Sequence, residues 1–328
     1  MACRLTRYQD SVKKFIANQS IVSKYQFKKE LLDLMKDSEY ILPITLLTLM
    51  NGQQRKNKLK SIHGYFMATG IELLIILIHL STEKKYKKNS LTIDENILNT
   101  LQTSIVSLIN LSLQDNIELL KSHYKSNQII NILTNSMMQI NEKINKITTT
   151  IMTTEIPEPT KYSIKPDLNK YYFKDKTICE KLKKIKILPK EFIINFTTDT
   201  FGNACRLTLI LGWILGGSSD ETVVNLERLG YHLGLLMKLA DDFENIDKDA
   251  EDAVKNNTTM NYVINYGLQE SYELFDECKK KFNEGILMLN ITTNTIKEFV
   301  DILDSKVNVA LEHSSPDIRR TSSTASFT

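Results

Sequence analysis

Leu229-Gly-Tyr-His-Leu-Gly-Leu-Leu-Met-Lys-Leu-Ala-Asp-Asp-Phe-Glu-Asn-Ile-Asp-Lys-Asp249 is the stretch on which the reading of this chain turns. It is strongly helical in character. On a helix Asp241 and Asn245 lie one turn apart and share a face, with Asp242 about 100° round from Asp241. Asp247 and Asp249 carry the acidic character further. An all-helical protein can hold Mg²⁺ with such a cluster, because this hard cation takes one or two carboxylates and completes its shell with water and phosphate. A solvated acidic helix end is the competing reading.

The flanking sequence is helical almost throughout. Residues 8–36 read as one or two amphipathic helices, and Pro43 is well placed at the start of an apolar run through Met50. Ile71-Glu-Leu-Leu-Ile-Ile-Leu-Ile-His-Leu80 reads as a buried core helix over 60–82, too short to span a membrane and carrying Glu72 inside it. Two helices are expected next, Ile97 to about Leu113 and Asn116 to Ile147. From Thr148 to Tyr162 an exposed loop is expected, broken by Pro157 and Pro159, within a divergent insertion over 148–190. Lys174 to Lys186 is a basic helical piece with two readings, a solvated face or a phosphate contact. Helicity resumes at Lys190 and runs to His313. Six of the eleven glycines fall between Gly202 and Gly234. Glycine is unfavourable inside helices, so that density implies close helix–helix approach or room for a ligand. Gly216-Gly217 reads as a stop, with Ser219 or Asp220 capping the next helix. A Ser/Thr-rich tail, 314–328, is expected to be disordered. The whole is one all-α domain over 1–313.

Composition excludes several function classes. Forty-two basic and 39 acidic residues leave a formal charge of +3, so no nucleic-acid footprint is demanded. Cys3, Cys179, Cys205 and Cys278 stand far apart, which argues against a zinc site and fits a reducing compartment. A cytoplasmic location is expected (the host's, if the chain is viral), with no signal peptide and no transmembrane segment. No Gly-rich nucleotide loop occurs.

Two stretches together resemble the trans-isoprenyl diphosphate synthases (polyprenyl synthetases, which include farnesyl and geranylgeranyl diphosphate synthases). They are Leu211-Gly-Trp-Ile-Leu-Gly-Gly217 and Leu229 to Asp247. In that family a helix reading LGxxLxG precedes GxxxGxxFQxxDDxxD, the second aspartate-rich motif. Asn261-Tyr-Val-Ile-Asn-Tyr-Gly267, Glu277-Cys-Lys-Lys-Lys281 and Lys306-Val-Asn-Val-Ala-Leu311 look similar to trans-prenyltransferases of large DNA viruses. Upstream, Met67-Ala-Thr-Gly-Ile-Glu-Leu73 is similar to the family's AxxxEL/IH helix. The resemblance implies an isoprenoid-synthase fold, roughly ten to thirteen helices around a central cavity. There an allylic prenyl diphosphate and isopentenyl diphosphate are joined head to tail with Mg²⁺. It implies a homodimer, or a heterodimer with a catalytic synthase.

Carried over by residue, the second motif gives Asp241, Asp242 and Asn245 as the Mg²⁺ site, with Asp249 two turns along. Lys238 replaces the family's Gln, where it would stand in for metal charge or pair with Asp242. Lys255 is the nearest match to a diphosphate-binding lysine after the motif. The departures are larger. The family's GGKRxRP loop falls at Asp37-Ser-Glu-Tyr-Ile-Leu-Pro43, where only the proline survives. The first aspartate-rich motif falls at Ser81-Thr-Glu-Lys-Lys-Tyr-Lys-Lys88, where Glu83 alone could bind metal. The family's KT becomes Asp199-Thr200. Losing one preorganised charge stabiliser costs about 10²–10³ in rate, and several are lost together here. No catalytic residue is assigned from sequence. The leading expectation is a degenerate prenyl-diphosphate binder or non-catalytic subunit, a pseudoenzyme. An active trans-prenyltransferase and a helical interaction protein on an inherited fold are the alternatives.

Overall fold

The computed structural model describes residues 4–19, 22, 25–26, 28–36, 38–52, 59–86, 95–123, 127–157, 168–169, 171–173, 175–217 and 223–314, with only the backbone at 4–7, 83–86 and 95. The described residues are helical nearly throughout, with no strand beyond two isolated bridges, Tyr171 to Ser314 and Lys186 to Thr258. The helices are α1 (Arg4–Asn18), α2 (Lys28–Leu34), α3 (Ile41–Gly52), α4 (Tyr65–Tyr86), α5 (Glu95–Lys121), α6 (Asn127–Thr153) and α7 (Ile178–Leu182). There follow α8 (Lys190–Thr197), α9 (Asn203–Leu215), α10 (Val223–Glu244), α11 (Ile246–Asn256), α12 (Tyr262–Tyr266), α13 (Leu268–Met288) and α14 (Asn294–Glu312). The all-α architecture around a cavity is as the resemblance implies.

The centre of the fold is the pair α9 and α10. Helix α9 is buried on almost every face, and α10 touches α9, α13 and α14. Leu226, Leu229, Leu233, Leu236 and Phe243 form the inward stripe of α10 at three- and four-residue spacing, shielded from water. Two glycines make this arrangement possible. A Cβ on Gly230 would lie 2.6 Å from the Arg206 Cα, and one on Gly234 would lie 2.5 Å from the Gly202 Cα. The α10 backbone therefore rests directly on the backbone of α9 and of the π-helical turn Thr198–Gly202 that leads into it.

Helix α4 runs 22 residues, Tyr65–Tyr86, and so starts and ends a turn later than the 60–82 read from the sequence. The segment Ser61–Thr82 is long and apolar enough to cross a membrane by length and composition, but its side chains are mostly buried inside the protein. It is a core helix packed on α5 and α3.

Two sequence expectations are corrected. No break falls at residues 114–115: α5 continues to Lys121, because Asn116 spends its side chain on tertiary bonds rather than on a local turn. Its Nδ2 donates to the His63 carbonyl at 2.9 Å and its Oδ1 accepts from the Met67 amide at 3.1 Å. The exposed loop expected from Thr148 begins only after Thr153. The threonine run lowers helix propensity, but Ile144, Ile147 and Ile151 extend the buried stripe of α6 through it. The 148–190 stretch then sends Leu168, Tyr171, Ile178, Leu182 and Leu188 into the core. Ser314, placed in the tail by sequence, is buried; the rest of that tail lies outside the described residues, as do Ser219 and Asp220. Helix α9 does end before Gly216, and Gly217 takes a φ of 84°.

The backbone contact at Gly234 gives a direct test. Gly234→Ala should destabilise the protein by about 2 kcal/mol or more, since neither neighbour can yield without moving a helix. Gly52→Ala, whose Cβ would meet only the Thr293 methyl at 3.9 Å, should change the unfolding free energy by less than about 0.5 kcal/mol. Chemical denaturation of the two variants measures both.

Candidate functional site

A cavity of about 530 Å³ opens between α4, α10, α11, α14 and the segment before α3. Its apolar lining comes from residues such as Leu34, Ile75, Ile76, Phe201, Met260 and Leu303. Among the described residues its polar lining holds six carboxylates, Glu39, Glu72, Asp241, Glu244, Asp249 and Asp252, against three ammonium groups, Lys238, Lys248 and Lys306. The site is thus an apolar chamber with an acid-rich wall, within the usual size range of small-ligand pockets.

The two aspartates of the opening motif part company. Asp241 lines the cavity and its Oδ1 accepts from Asn245 Nδ2 at 2.9 Å, so the shared face read from the sequence is used. Asp242, 0% exposed, points into the protein. One of its oxygens is ion-paired with the Lys238 ammonium, and the other accepts the Tyr262 amide at 2.8 Å. Burial raises the Asp242 carboxyl, opposed chiefly by the Lys238 ammonium. Burial alone would lower Lys238, but Asp242 and Asp241 hold it above its ordinary value. Of the two roles open to Lys238, pairing with Asp242 is the one the geometry adopts.

Asn261 ties the rest of the acidic wall to this bolt. Its Nδ2 donates to the Asp242 carbonyl at 2.8 Å and to Asp249 Oδ2 at 3.0 Å, while its Oδ1 accepts from the Ile264 amide at the start of α12. Asp249 lines the cavity and is largely buried. Lys255 is exposed and lies 3.6 Å from Asp252; it does not itself line the cavity. Thr82 lines the opposite wall; the side chain of Glu83 lies outside the described residues.

Sequence reading left three groups without partners or a place in the site. Lys306 on α14 sits between Glu39 Oε2 at 2.8 Å and Glu244 Oε2 at 2.7 Å, which crosses the cavity wall with a charge bridge. Glu39 stands where the resemblance expects a lysine, so this bridge inverts the expected charge. Asp199 is a second inversion, and it pairs with Lys146 of α6 at 3.1 Å. The third group is Glu72. The apolar run around it signalled an odd charge, but not its direction. Its carboxyl is 2% exposed, lines the cavity, and is hydrogen-bonded by Ser38. Its Oε1 has no partner.

Mg²⁺ is the cofactor the resemblance implies. Among the described residues no three His, Cys, Asp or Glu side chains converge on one point. Asp242 is turned away from the cavity, with one oxygen on the Lys238 ammonium and the other on the Tyr262 amide. Asp241, next to Asn245, is the donor that fits a Mg²⁺ keeping most of its water, and the described residues of the wall form no clamp for several ions.

No family model matches the chain. Over 101 residues it is 25% identical to a trans-prenyltransferase of African swine fever virus (isolate Pig/Kenya/KEN-50/1950), a match covering 30% of this chain and 29% of that protein. The fold extends much further. A geranyltransferase from Helicobacter pylori superposes with a TM-score of 0.54 at 14% identity, over 94% of this chain and 99% of that one. The same enzyme solved with magnesium and isoprenyl diphosphate gives 0.51, at 14% identity over 95% and 98%. A geranylgeranyl pyrophosphate synthetase from the archaeon Geoglobus acetivorans gives 0.51, at 9% identity over 94% and 99%. The chain has the all-α isoprenoid-synthase fold, and its local sequence likeness agrees with the resemblance to trans-isoprenyl diphosphate synthases.

Glu72 makes stability depend on pH. Burial raises its carboxyl from 4.5 to about 7, with the Ser38 hydroxyl pulling the other way. The folded protein therefore binds this proton more tightly than the unfolded chain. The associated stability is complete below 4.5 and lost as pH rises through about 7. Glu72→Gln should leave the melting temperature nearly unchanged at about pH 5 and raise it by several degrees at about pH 8, from up to ~3 kcal/mol of relieved desolvation. Melting curves at the two pH values check this.

Proposed function

We propose that this protein binds a prenyl diphosphate in the α4–α10 cavity but does not elongate it, and serves as a non-catalytic partner, in a homodimer or beside a catalytic synthase. The observation that carries the reading is the occupation of both Asp242 oxygens, by the Lys238 ammonium and the Tyr262 amide. A carboxylate in that position would have to break a buried ion pair and a backbone hydrogen bond before it could hold a metal, at several kcal/mol.

Asp241, with Asn245, is left to hold one hydrated Mg²⁺ carried in with the diphosphate. The metal would supply charge neutralisation for the ligand's oxygens. Lys248 is exposed at the cavity wall and adds a cation on the same side. The apolar chamber would take the hydrocarbon chain. Ionising an allylic carbon–oxygen bond needs more charge stabilisation than this. Each missing stabiliser costs about 10²–10³ in rate, which leaves binding as what remains.

Calorimetry with geranyl diphosphate in Mg²⁺ buffer tests the binding half. Asp241→Asn should weaken it by about tenfold, a charge-assisted contact's worth, whereas Lys255→Ala should not. Incubation with labelled isopentenyl diphosphate and an allylic primer tests the other half. The expected result is no chain growth from protein that still binds the primer. Condensed product would replace this reading with that of an active prenyltransferase.

A further inference from the structure

The same cavity holds a second polar feature, away from the Asp241 motif, that the proposed function leaves unused. Glu72 lies within the apolar run of α4, and one carboxylate oxygen is bonded by Ser38. The other, Oε1, is buried against the cavity with no hydrogen bond. Buried polar groups are almost always satisfied, so an orphan facing an open chamber marks a place where something else supplies the donor. A second orphan, Thr258 Oγ1, belongs to the same lining.

The wall around Glu72 is held in place. Tyr40 adopts a φ of 52°, in the left-handed region that a bulky residue rarely occupies. Its hydroxyl donates to the Met35 carbonyl at 3.0 Å and its amide to Ser38 Oγ at 3.2 Å. That turn sets Ser38 against the carboxylate and Glu39 beside it. The cation connected to this wall, Lys306, is already shared between Glu39 and Glu244. An incoming anion would therefore meet surplus carboxylate, while a positively charged donor would find a carboxylate oxygen without a partner. Leu34, Ile75, Ile76 and Leu303 supply apolar surface to the same chamber.

We propose that the Glu72 wall is a second ligand subsite, which takes a primary ammonium carried on an apolar chain. Its Nζ-like donor hydrogens bond the free Glu72 Oε1, and the chain lies along the apolar face of α4. This subsite does not depend on whether a prenyl diphosphate binds at Asp241.

The test uses one hydrocarbon chain with three head groups: geranylamine, geraniol and geranyl diphosphate. Binding to the full chain is measured by calorimetry in EDTA at about pH 8, where the Glu72 carboxyl is ionised. The amine should bind tightest, the alcohol more weakly and the metal-free diphosphate weakest. Glu72→Leu should weaken the amine by about tenfold or more, the loss of one charged hydrogen bond. Asp241→Asn should leave it unchanged. Glu72→Gln, which keeps the shape and loses the charge, should also weaken the amine while retaining the alcohol, and it serves if the leucine variant fails to fold. Equal amine affinity in wild type and either folded variant would overturn the proposal and leave water as the partner of Oε1. Absence of amine binding to wild type would overturn it as well. Magnesium-dependent diphosphate binding is read in separate titrations, so either reading can fail alone.

Discussion

A carboxylate buried without water must be compensated on every side, and Asp242 shows what that requires of this fold. Its ion pair with Lys238 stays within α10, while from the start of α12 the Tyr262 amide donates to the carboxylate and the Asn261 side chain to the Asp242 backbone carbonyl. An unpaired charge at that depth would cost several kcal/mol. The end of α10 and the start of α12 are thereby fixed to each other. Asn261 extends the constraint to Asp249 on α11. With Asp242 turned inward, the 100° step of the helix sends Asp241 outward to the cavity. One bolt thus sets both the local fold and the face of the acidic motif that a ligand meets.

The cavity's electrostatics follow from further internal pairings. Lys306 bridges Glu39 and Glu244, and Asp199 is matched by Lys146. At both places the acid replaces a cation that the family resemblance expects, and a lysine from a distant helix balances it. The protein has kept a neutral fold by pairing these charges with itself. Groups already paired contribute little to stabilising a departing diphosphate, which supports the proposal that this protein does not elongate a prenyl chain. Glu72 differs from these pairs, a buried carboxylate whose Oε1 has no partner among the described residues.

Much of the fold was legible in the chain. The sequence pattern located α4, α9 and α10, and of the two readings the glycine density around Gly202 to Gly234 left open, close helix approach is seen at Gly230 and Gly234. The errors came where local propensity and tertiary contacts disagree. A break was read between Leu113 and Asn116, yet the helix runs through and the Asn116 side chain bonds the His63 carbonyl and Met67 amide. The threonines of 148–153 read as loop, yet buried isoleucines keep them helical. For the site, the motif put Asp241 first as metal ligand and gave Asp242 an assisting place beside it, whereas Asp242 is buried away from the cavity. Glu39, Glu244 and Lys306 escaped because their sequence separation hides the contact.

The sequence by itself determined the all-α class, the positions of the principal helices and the acidic motif, because each depends on residues close together in the chain. Spacing along a helix fixes which side chains share a face. It does not say which face meets a cavity and which meets a neighbouring backbone amide. Only the tertiary structure decided that Asp242 is a structural anchor, that Lys306 completes the wall, and that Glu72 faces open space. Those outcomes rest on contacts between α4, α10, α12 and α14, whose burial sets the charge each side chain can carry.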